Sequence, residues 1–152
     1  MNDQTLISKP PYNLKRIFSK ICMVVSTFPL LPPYFRFKFL QWGGVRFRGR
    51  CYIGGNVEFD GIYPNLIQIG QGCIITTGTH ILSHFFNTSD RRFYAGKIKI
   101  GNRVFIGMNT LIVNSVTIGD DSVIAAGSVI TKDIPAKEVW GGNPAKFIKK
   151  LS

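Results

Sequence analysis

The segment from residue 100 to residue 135 repeats with a period of six. An isoleucine opens every hexad, at Ile100, Ile106, Ile112, Ile118, Ile124 and Ile130. A small or β-branched residue stands at each fifth position, namely Val104, Thr110, Val116, Ser122, Ser128 and Ile134. A period of six fits neither an α-helix nor a single strand, and it is typical of a parallel β-helix. We therefore predict short strands joined by corners, three to a coil, with both repeated positions in the core.

The same register extends upstream, with hexads that open at Phe47, Ile53, Phe59, Ile69, Ile75 and Ile81. The step from Phe59 to Ile69 is ten residues instead of six, so four extra residues near Pro64 and Asn65 are predicted to bulge at one corner. Leu82 to Lys97 breaks the period and is predicted to form one long loop. The repeat thus predicts an all-β domain of about four to five coils.

We divide the chain into three parts. Residues 1–44 are predicted to form a basic, helical N-terminal cap. Residues 45–135 form the β-helix, with a loop at 82–97, and residues 136–152 form a short C-terminal tail. The cysteines Cys22, Cys51 and Cys73 show no paired or metal-ligand spacing, so we expect free thiols in a reducing compartment.

The net charge of +11 is concentrated at the two ends of the chain. Residues 1–50 hold nine Lys and Arg against Asp3 alone. Residues 12–28 have the apolar spacing of an amphipathic helix, and a second helix is predicted for residues 33–41. The face predicted for the first helix consists of Leu14, Ile17, Ile21, Val24 and Val25.

Two interpretations of this basic N-terminal segment stay open. It caps the open end of the β-helix, or residues 12–41 dock on an anionic membrane surface or on a membrane-bound partner. No nucleic-acid recognition motif accompanies the basic residues, and no apolar stretch reaches the length that spans a bilayer. We expect a cytoplasmic protein, with the inner face of the membrane as the location if the segment docks.

Three segments resemble the hexapeptide-repeat acyltransferases, and in particular the branch that O-acetylates sugars and polysaccharides. They are ILSHF at 81–85, IGMNTLIVNSVTIGDDSVIAAGSVITKDIP at 106–135 and GGNPAK at 141–146. The resemblance covers about residues 45–150. It implies a left-handed β-helix, a homotrimer, and acetyl-coenzyme A bound in the cleft between neighbouring subunits. The period alone implies none of these, and general chirality rules would favour a right-handed crossover.

The resemblance implies His84 as the general base of an acyl transfer. The reaction needs a group that takes the acceptor's proton during attack and then protonates the leaving thiolate. Asp60 is a candidate to contact His84 or to hold an acceptor hydroxyl, because the register puts Phe59 one coil below Ile81; a solvated corner aspartate is the alternative. His80 is expected to point outward at a corner or a subunit contact. Backbone N–H groups near Gly107 and Met108 are the expected donors to the oxyanion.

The remaining candidate site residues form two groups. Acceptor-binding candidates come from the loop and are Asn87, Asp90, Arg91, Arg92 and Tyr94. Donor-binding candidates, where small residues permit a close approach and lysines suit phosphates, are Phe105, Gly107, Met108, Ala125, Ala126, Lys132 and Lys146. The resemblance carries the assignments of Ala126, Lys132 and Lys146.

The predicted function is transfer of the acetyl group of acetyl-coenzyme A to a hydroxyl of a sugar or polysaccharide precursor, free or lipid-linked. An N-acyltransferase acting on an amino sugar and a non-catalytic β-helix scaffold are the alternatives. A zinc enzyme of similar fold would need three histidine ligands. The chain has two histidines, so we expect no metal.

Overall fold

The computed structural model describes residues 4–6, 13–28 and 30–152. The helices are α1 (Leu14–Thr27) and α2 (Pro33–Trp42), and a short 3₁₀-helix spans Pro64–Leu66. The strands are β1 (Gln4–Leu6), β2 (Arg46–Phe47), β3 (Tyr52–Ile53), β4 (Glu58–Phe59), β5 (Ile67–Ile69), β6 (Ile74–Ile75), β7 (His80–Leu82), β8 (His84–Asn87), β9 (Arg92–Gly96), β10 (Ile98–Ile100), β11 (Phe105–Ile106), β12 (Leu111–Val113), β13 (Thr117–Ile118), β14 (Val123–Ile124), β15 (Val129–Ile130), β16 (Glu138–Gly141) and β17 (Lys146–Lys150).

Three parallel sheets carry the hexads, and the chain visits them in rotation. The first face contains β2, β5, β10 and β13; the second contains β3, β6, β11 and β14; the third contains β4, β7, β12 and β15. In the regular coils, pairing partners such as Phe105 and Val123 or Leu111 and Val129 are 18 residues apart. The predicted coil of three short parallel strands is therefore confirmed.

The C-terminal tail continues the second face. β16 pairs in parallel with β14, and β17 folds back antiparallel onto β16.

Two insertions interrupt the regular stacking. Glu58 pairs with His80, a separation of 22 residues, which confirms four extra residues in that coil. The 3₁₀-helix Pro64–Leu66 takes them up. His80 pairs with Leu111, a separation of 31, so the next coil holds a longer insertion. The predicted loop at 82–97 is largely an antiparallel hairpin of β8 and β9, and β1 adds to its outer edge. Aromatic pairs across the hairpin, such as Phe86 with Phe93 at 5.1 Å, favour strands here.

The repeated positions form the core, as predicted. Every first-position isoleucine from 100 to 130 is at most 3% exposed, and so is every fifth-position residue from Val104 to Ile134. Buried hydroxyls at fifth positions bind corner carbonyls, as when Thr110 Oγ1 donates to the Gly107 carbonyl at 2.7 Å. Each fully buried isoleucine contributes about 1.5–3 kcal/mol to stability. The stacked isoleucines thus stabilise the fold.

The two predicted helices are confirmed, with the predicted start at Tyr12 outside the described residues. Asn13 caps α1 by accepting the Arg16 N–H at 3.0 Å. Buried Arg36 joins the helices to the coils, since its guanidinium donates to the carbonyls of Ser26, Phe28 and Ile53 at 2.9–3.1 Å. Burial lowers the pKa of Arg36.

The apolar face predicted for α1 lies mostly on the outside. Of its five residues, Leu14, Ile17, Ile21 and Val24 are exposed. Cys22, Met23 and Ser26 are the buried residues of α1, and Met23 joins Leu40 of α2 in the main core. In the described residues, no helix is long and apolar enough to cross a membrane. The three-part division of the chain stays a prediction.

Candidate active site

His84 lies where the third face meets the hairpin, beside a buried carboxylate. β7 ends at Leu82 and β8 begins at His84. His84 Nδ1 is 2.7 Å from Asp60 Oδ2. The Asp60 side chain is fully buried, whereas 29% of the His84 side chain remains exposed. The structure therefore brings the two candidate catalytic residues together, although 24 positions separate them in the chain.

The local fold holds the Asp60 carboxylate rigidly. Oδ1 accepts the backbone N–H groups of Ile62 and Tyr63 at 2.7 and 3.1 Å. Oδ2 accepts the Ser83 N–H and hydroxyl at 3.0 and 2.7 Å, and the His84 N–H at 2.9 Å. Burial raises the pKa of Asp60, but the hydrogen bonds from Ser83, His84, Ile62 and Tyr63 together lower that pKa below its ordinary value. Asp60 is therefore held as an anion.

This arrangement determines which nitrogen of His84 can act as a base. A carboxylate only accepts hydrogen bonds, so the nitrogen that faces Asp60, Nδ1, must carry the proton. Nε2 then has a free lone pair. A partly exposed imidazole with a buried carboxylate behind it can accept a proton at Nε2, and the anion stabilises the imidazolium that forms.

Ser83 was not predicted as a site residue. It is fully buried and binds Asp60 through both its N–H and its hydroxyl. Its hydroxyl also lies 3.1 Å from the Tyr63 carbonyl. The available signal was its position two residues after the inward Ile81, because alternation along a strand directs it inward as well. The sequence pattern did not show that the Asp60 carboxylate, on the coil below, faces Ser83.

The predicted acceptor-binding residues lie on the hairpin, and several of them shape it. Asn87 Oδ1 accepts the Ser89 N–H at 2.9 Å, and Asp90 binds both the Arg92 N–H and the Tyr94 hydroxyl. The hydrogen bond to Asp90 raises the pKa of Tyr94. Arg92 is exposed on β9, and Arg91, also exposed, adopts a positive φ of 55° at the turn.

The hairpin places these side chains at different distances from His84. His84 pairs with Ala95, next to Tyr94, whereas Asn87 pairs with Arg92 at the far end. Three residues along a strand amount to about 10 Å. Tyr94 is therefore the candidate acceptor residue nearest to His84 along the paired strands, although its side chain, like that of its partner Phe85, lies on the other face of the hairpin.

The donor-binding candidates around Gly107 form a closely stacked corner after the second face. A Cβ on Gly107 would lie 2.4 Å from the Ala126 nitrogen, and one on Gly141 would lie 2.8 Å from Ala125 Cβ. Ala126 and Met108 are exposed at this corner. Phe105 points outward from the second face and is 39% exposed. The backbones of successive coils are thus closely stacked at this corner.

One oxyanion donor proposed from the sequence is not free in this structure. The Gly107 N–H donates to the Ile124 carbonyl at 2.9 Å as part of the parallel ladder. An N–H within such a ladder is already satisfied, and using it would break a coil-to-coil hydrogen bond.

The two candidate lysines differ in how they are held. Lys132 Nζ lies 5.0 Å from the centre of the Trp140 ring, and Trp140 is fixed by a 2.8 Å hydrogen bond from its Nε1 to Glu138. Lys146 is exposed on β17. Both ammonium groups can therefore reach a negatively charged ligand, and the cation–π contact restrains Lys132.

One cleft of the structure lies apart from His84. A cleft of about 300 Å³ on the first face is lined by residues that include Arg48, Gln68, Lys99 and Asp120. It contains neither Asp60 nor His84, so it is separate from the candidate active site.

Among the described residues, no group of three or more His, Cys, Asp or Glu side chains could hold a metal ion.

Comparisons with known proteins agree with the repeat. The family model described as bacterial transferase hexapeptide (six repeats) matches residues 97–132. YvoF of Bacillus subtilis, assigned as an acetyltransferase, is 40% identical over 89 residues. That match covers 59% of this chain and 51% of YvoF, so the chain spans about half the length of this relative.

Solved structures show the same fold along most of the chain. A maltose O-acetyltransferase from Clostridium difficile 630 is 27% identical with a TM-score of 0.66, and the match covers 91% of this chain and 87% of that one. A hexapeptide-repeat acetyltransferase from Vibrio cholerae, solved with acetyl-coenzyme A, is 25% identical with a TM-score of 0.72 and the same coverages. From the repeat, the sequence relatives and the shared fold together, the chain is similar to the hexapeptide-repeat acetyltransferases.

Proposed function

We propose that the protein transfers the acetyl group of acetyl-coenzyme A to a hydroxyl of a sugar or polysaccharide precursor. The observation that carries the proposal is the 2.7 Å contact between His84 Nδ1 and the buried, fully hydrogen-bonded Asp60 carboxylate. Similarity to a maltose O-acetyltransferase supports a saccharide as the acceptor.

In the proposed reaction, His84 Nε2 removes the proton of the acceptor hydroxyl while that oxygen attacks the thioester carbonyl. A C–O bond forms, and the C–S bond breaks when the tetrahedral intermediate collapses. The imidazolium then returns its proton to the coenzyme A thiolate. Asp60 does not itself change protonation; its negative charge stabilises the imidazolium of His84 in both steps.

Direct transfer is favoured because the thiols have other partners. The Cys51 and Cys73 thiols donate to the carbonyls of Gly70 and Gly101 at 3.0 Å, at the corner after the first face. Cys22 is buried in α1. None of these positions is at the corner of His84, so the proposal includes no acetyl-enzyme.

The corner around Gly107 fits the pantetheine arm of the donor. A thin, amide-containing chain needs backbone without side chains in its way, and Gly107, Ala125 and Ala126 provide this. Lys132 and Lys146 are proposed to bind the phosphates, because ammonium groups form charge-assisted hydrogen bonds with them.

The separation between His84 and the donor-binding corner around Ala126 supports an active site shared by two subunits. Ala126 precedes the third-face strand β15, whereas His84 follows the third-face strand β7, so the two lie at opposite edges of that face. A second copy would bring its Ala126 corner next to His84. We propose a homotrimer of left-handed β-helices with the site between subunits.

An outward apolar column on the second face supports this assembly. Tyr52, Ile74 and Phe105 pair side by side on successive coils and are 52%, 43% and 39% exposed. Adjacent exposed apolar side chains of this kind mark interaction surfaces.

The test compares the two histidines. Release of coenzyme A is measured with a panel of saccharides, and the products are identified by mass spectrometry. His84→Ala should lower the turnover number by roughly 10²–10⁴. His80→Ala is the matched control, because His80 pairs with the exposed Glu58 at 3.1 Å and lies outside the proposed site. It should leave turnover near the wild-type value.

Three results would overturn the proposal. They are a His84→Ala protein that keeps most of its activity, an acetylated protein trapped without acceptor, and absence of coenzyme A release with every acceptor. The linkage in the product separates the alternatives, since mild alkali cleaves an acetyl ester and leaves an amide intact. Products that are only amides would favour the N-acyltransferase.

A further inference from the structure

Helix α1 presents its apolar side to solvent instead of to the coils. Apolar residues recur at helical spacing, and their exposed fractions lie between 48% and 86%. We call them the α1 stripe: Leu14, Ile17, Phe18, Ile21, Val24 and Phe28. The opposite side, with Cys22, Met23 and Ser26, is the buried one. A helix whose only role is to cover the coils would bury its apolar side.

Basic residues accompany the stripe, and acidic residues are absent from this part of the sequence. Lys15 and Lys20 lie on either side of the stripe by the same periodicity, whereas Arg16 lies over Tyr63. Residues 13–50 contain eight Lys and Arg and no Asp or Glu. An exposed apolar side with lysine and arginine on its flanks is typical of helices that lie in a membrane interface. The partner of this surface should therefore be both apolar and negatively charged.

A second copy of the chain offers this surface more positive than negative charge, because it carries 19 Lys and Arg against eight Asp and Glu. Each carboxylate in the described residues already has a local partner, such as Arg103 for Asp121 and the Thr117 N–H for Asp133. These carboxylates are Glu58, Asp60, Asp90, Asp120, Asp121, Asp133 and Glu138. The high positive charge of each copy also opposes contact between two such helices. An anionic bilayer has neither disadvantage.

We propose that α1 lies in the interface of an anionic lipid bilayer. The α1 stripe enters the boundary between headgroups and acyl chains, and the lysines reach the lipid phosphates. This docking is independent of the acetyl-transfer proposal, because it depends only on the surface of α1.

The docked helix is close to the candidate active site. Arg16 lies over the ring of Tyr63 at 5.9 Å, and the Tyr63 N–H donates to Asp60 at 3.1 Å. Asp60 in turn contacts His84. Docking through α1 thus puts the Asp60 and His84 pair near the bilayer surface. If the acetyl-transfer proposal holds, a lipid-linked saccharide is the acceptor that this placement favours.

The experiment measures partition of the protein onto vesicles by co-sedimentation. One set contains equal parts of phosphatidylglycerol and phosphatidylcholine, and the other contains phosphatidylcholine alone. Ile21→Glu is compared with Ile148→Glu, because both isoleucines are 56% exposed and only Ile21 is in the stripe. Val24→Ser is a second, milder stripe variant, and circular dichroism checks that each variant is folded.

We expect the wild type to bind the phosphatidylglycerol vesicles and to be released as salt screens the charges. Ile21→Glu should weaken the partition at least about tenfold, since an apolar contact is lost and a negative charge is added. Val24→Ser should weaken it less, and Ile148→Glu should resemble the wild type.

The proposal is overturned if the wild type does not sediment with phosphatidylglycerol vesicles, or if Ile21→Glu and Ile148→Glu sediment equally. It is also overturned if the wild type does not bind vesicles and the Ile21→Glu substitution lowers the assembly mass measured by light scattering. That last result would assign the stripe to an interface between copies. Loss of vesicle binding with unchanged acetyl transfer to a soluble saccharide would separate docking from catalysis.

Discussion

Replacing Asp60 by Asn tests the candidate active site at its most constrained point. The carboxylate accepts two hydrogen bonds at Oδ1 and faces four donor groups at Oδ2. An amide of the same size has only one acceptor oxygen. In its better orientation the oxygen replaces Oδ2, and the NH₂ group then faces the N–H groups of Ile62 and Tyr63. At least two buried donors lose their acceptor.

The structure sets the expected magnitudes. Each unpaired buried donor costs about 1–3 kcal/mol, so Asp60→Asn should lower the free energy of unfolding by about 2–6 kcal/mol. The charge that stabilises the His84 imidazolium is lost as well. A charge-assisted hydrogen bond contributes about 1.5–3 kcal/mol. At about 1.4 kcal/mol per factor of ten, the turnover number should fall by roughly 10- to 150-fold.

The assay combines urea unfolding with the turnover number at saturating acetyl-coenzyme A. Asp133→Asn is the control, because Asp133 is exposed and its Oδ1 accepts the Thr117 N–H at 2.7 Å. An asparagine there can rotate to keep that bond, so stability and turnover should stay near wild-type values. If Asp60→Asn matches the wild type in both measurements, the reasoning is refuted. If only stability falls, Asp60 is an anchor for the corner and not a partner in catalysis.

Three further results are expected. The lowered pKa of Asp60 makes its stabilisation complete above the ordinary aspartate pKa, about 3.9. The stabilisation is lost as pH falls through the lowered value, so the difference in urea stability between wild type and Asp60→Asn should shrink below about pH 4. Gly107→Ala should lower the free energy of unfolding by about 1–3 kcal/mol, because its Cβ would lie 2.4 Å from the Ala126 nitrogen. Gly55→Ala, with no atom within 4 Å of its Cβ, should cost little, and equal effects would contradict the stacking argument. Lys132→Gln should raise the Michaelis constant for acetyl-coenzyme A several-fold to about tenfold and leave the acceptor constant unchanged; no change would remove Lys132 from the donor site.

Much of the fold could be predicted because the hexad pattern is local. The side chains that point inward are those at the first and fifth positions, and the buried residues from Ile100 to Ile134 follow that rule. The ten-residue step after Phe59 also gave the correct pairing with Ile81. The hairpin at 82–97 was predicted only as a loop, because its strands depend on pairing with each other outside the repeat.

Part of the candidate site could be predicted from the sequence in the same way. The motif ILSHF indicated His84 as the candidate general base, and the register indicated Asp60 as its neighbour. Ser83 was missed, because its role depends on a carboxylate one coil below. The occupied Gly107 N–H was missed too, since a repeat pattern does not show which N–H groups the coil-to-coil ladder uses.

What the sequence by itself determined was the coil, its core positions and the presence of two N-terminal helices, because each depends on periodic spacing along the chain. Only the tertiary structure decided which side of α1 faces solvent, since helical spacing defines a face and not its neighbour. It also decided how Asp60 holds His84. That contact joins residues 24 positions apart, and its geometry depends on how the insertion between them folds.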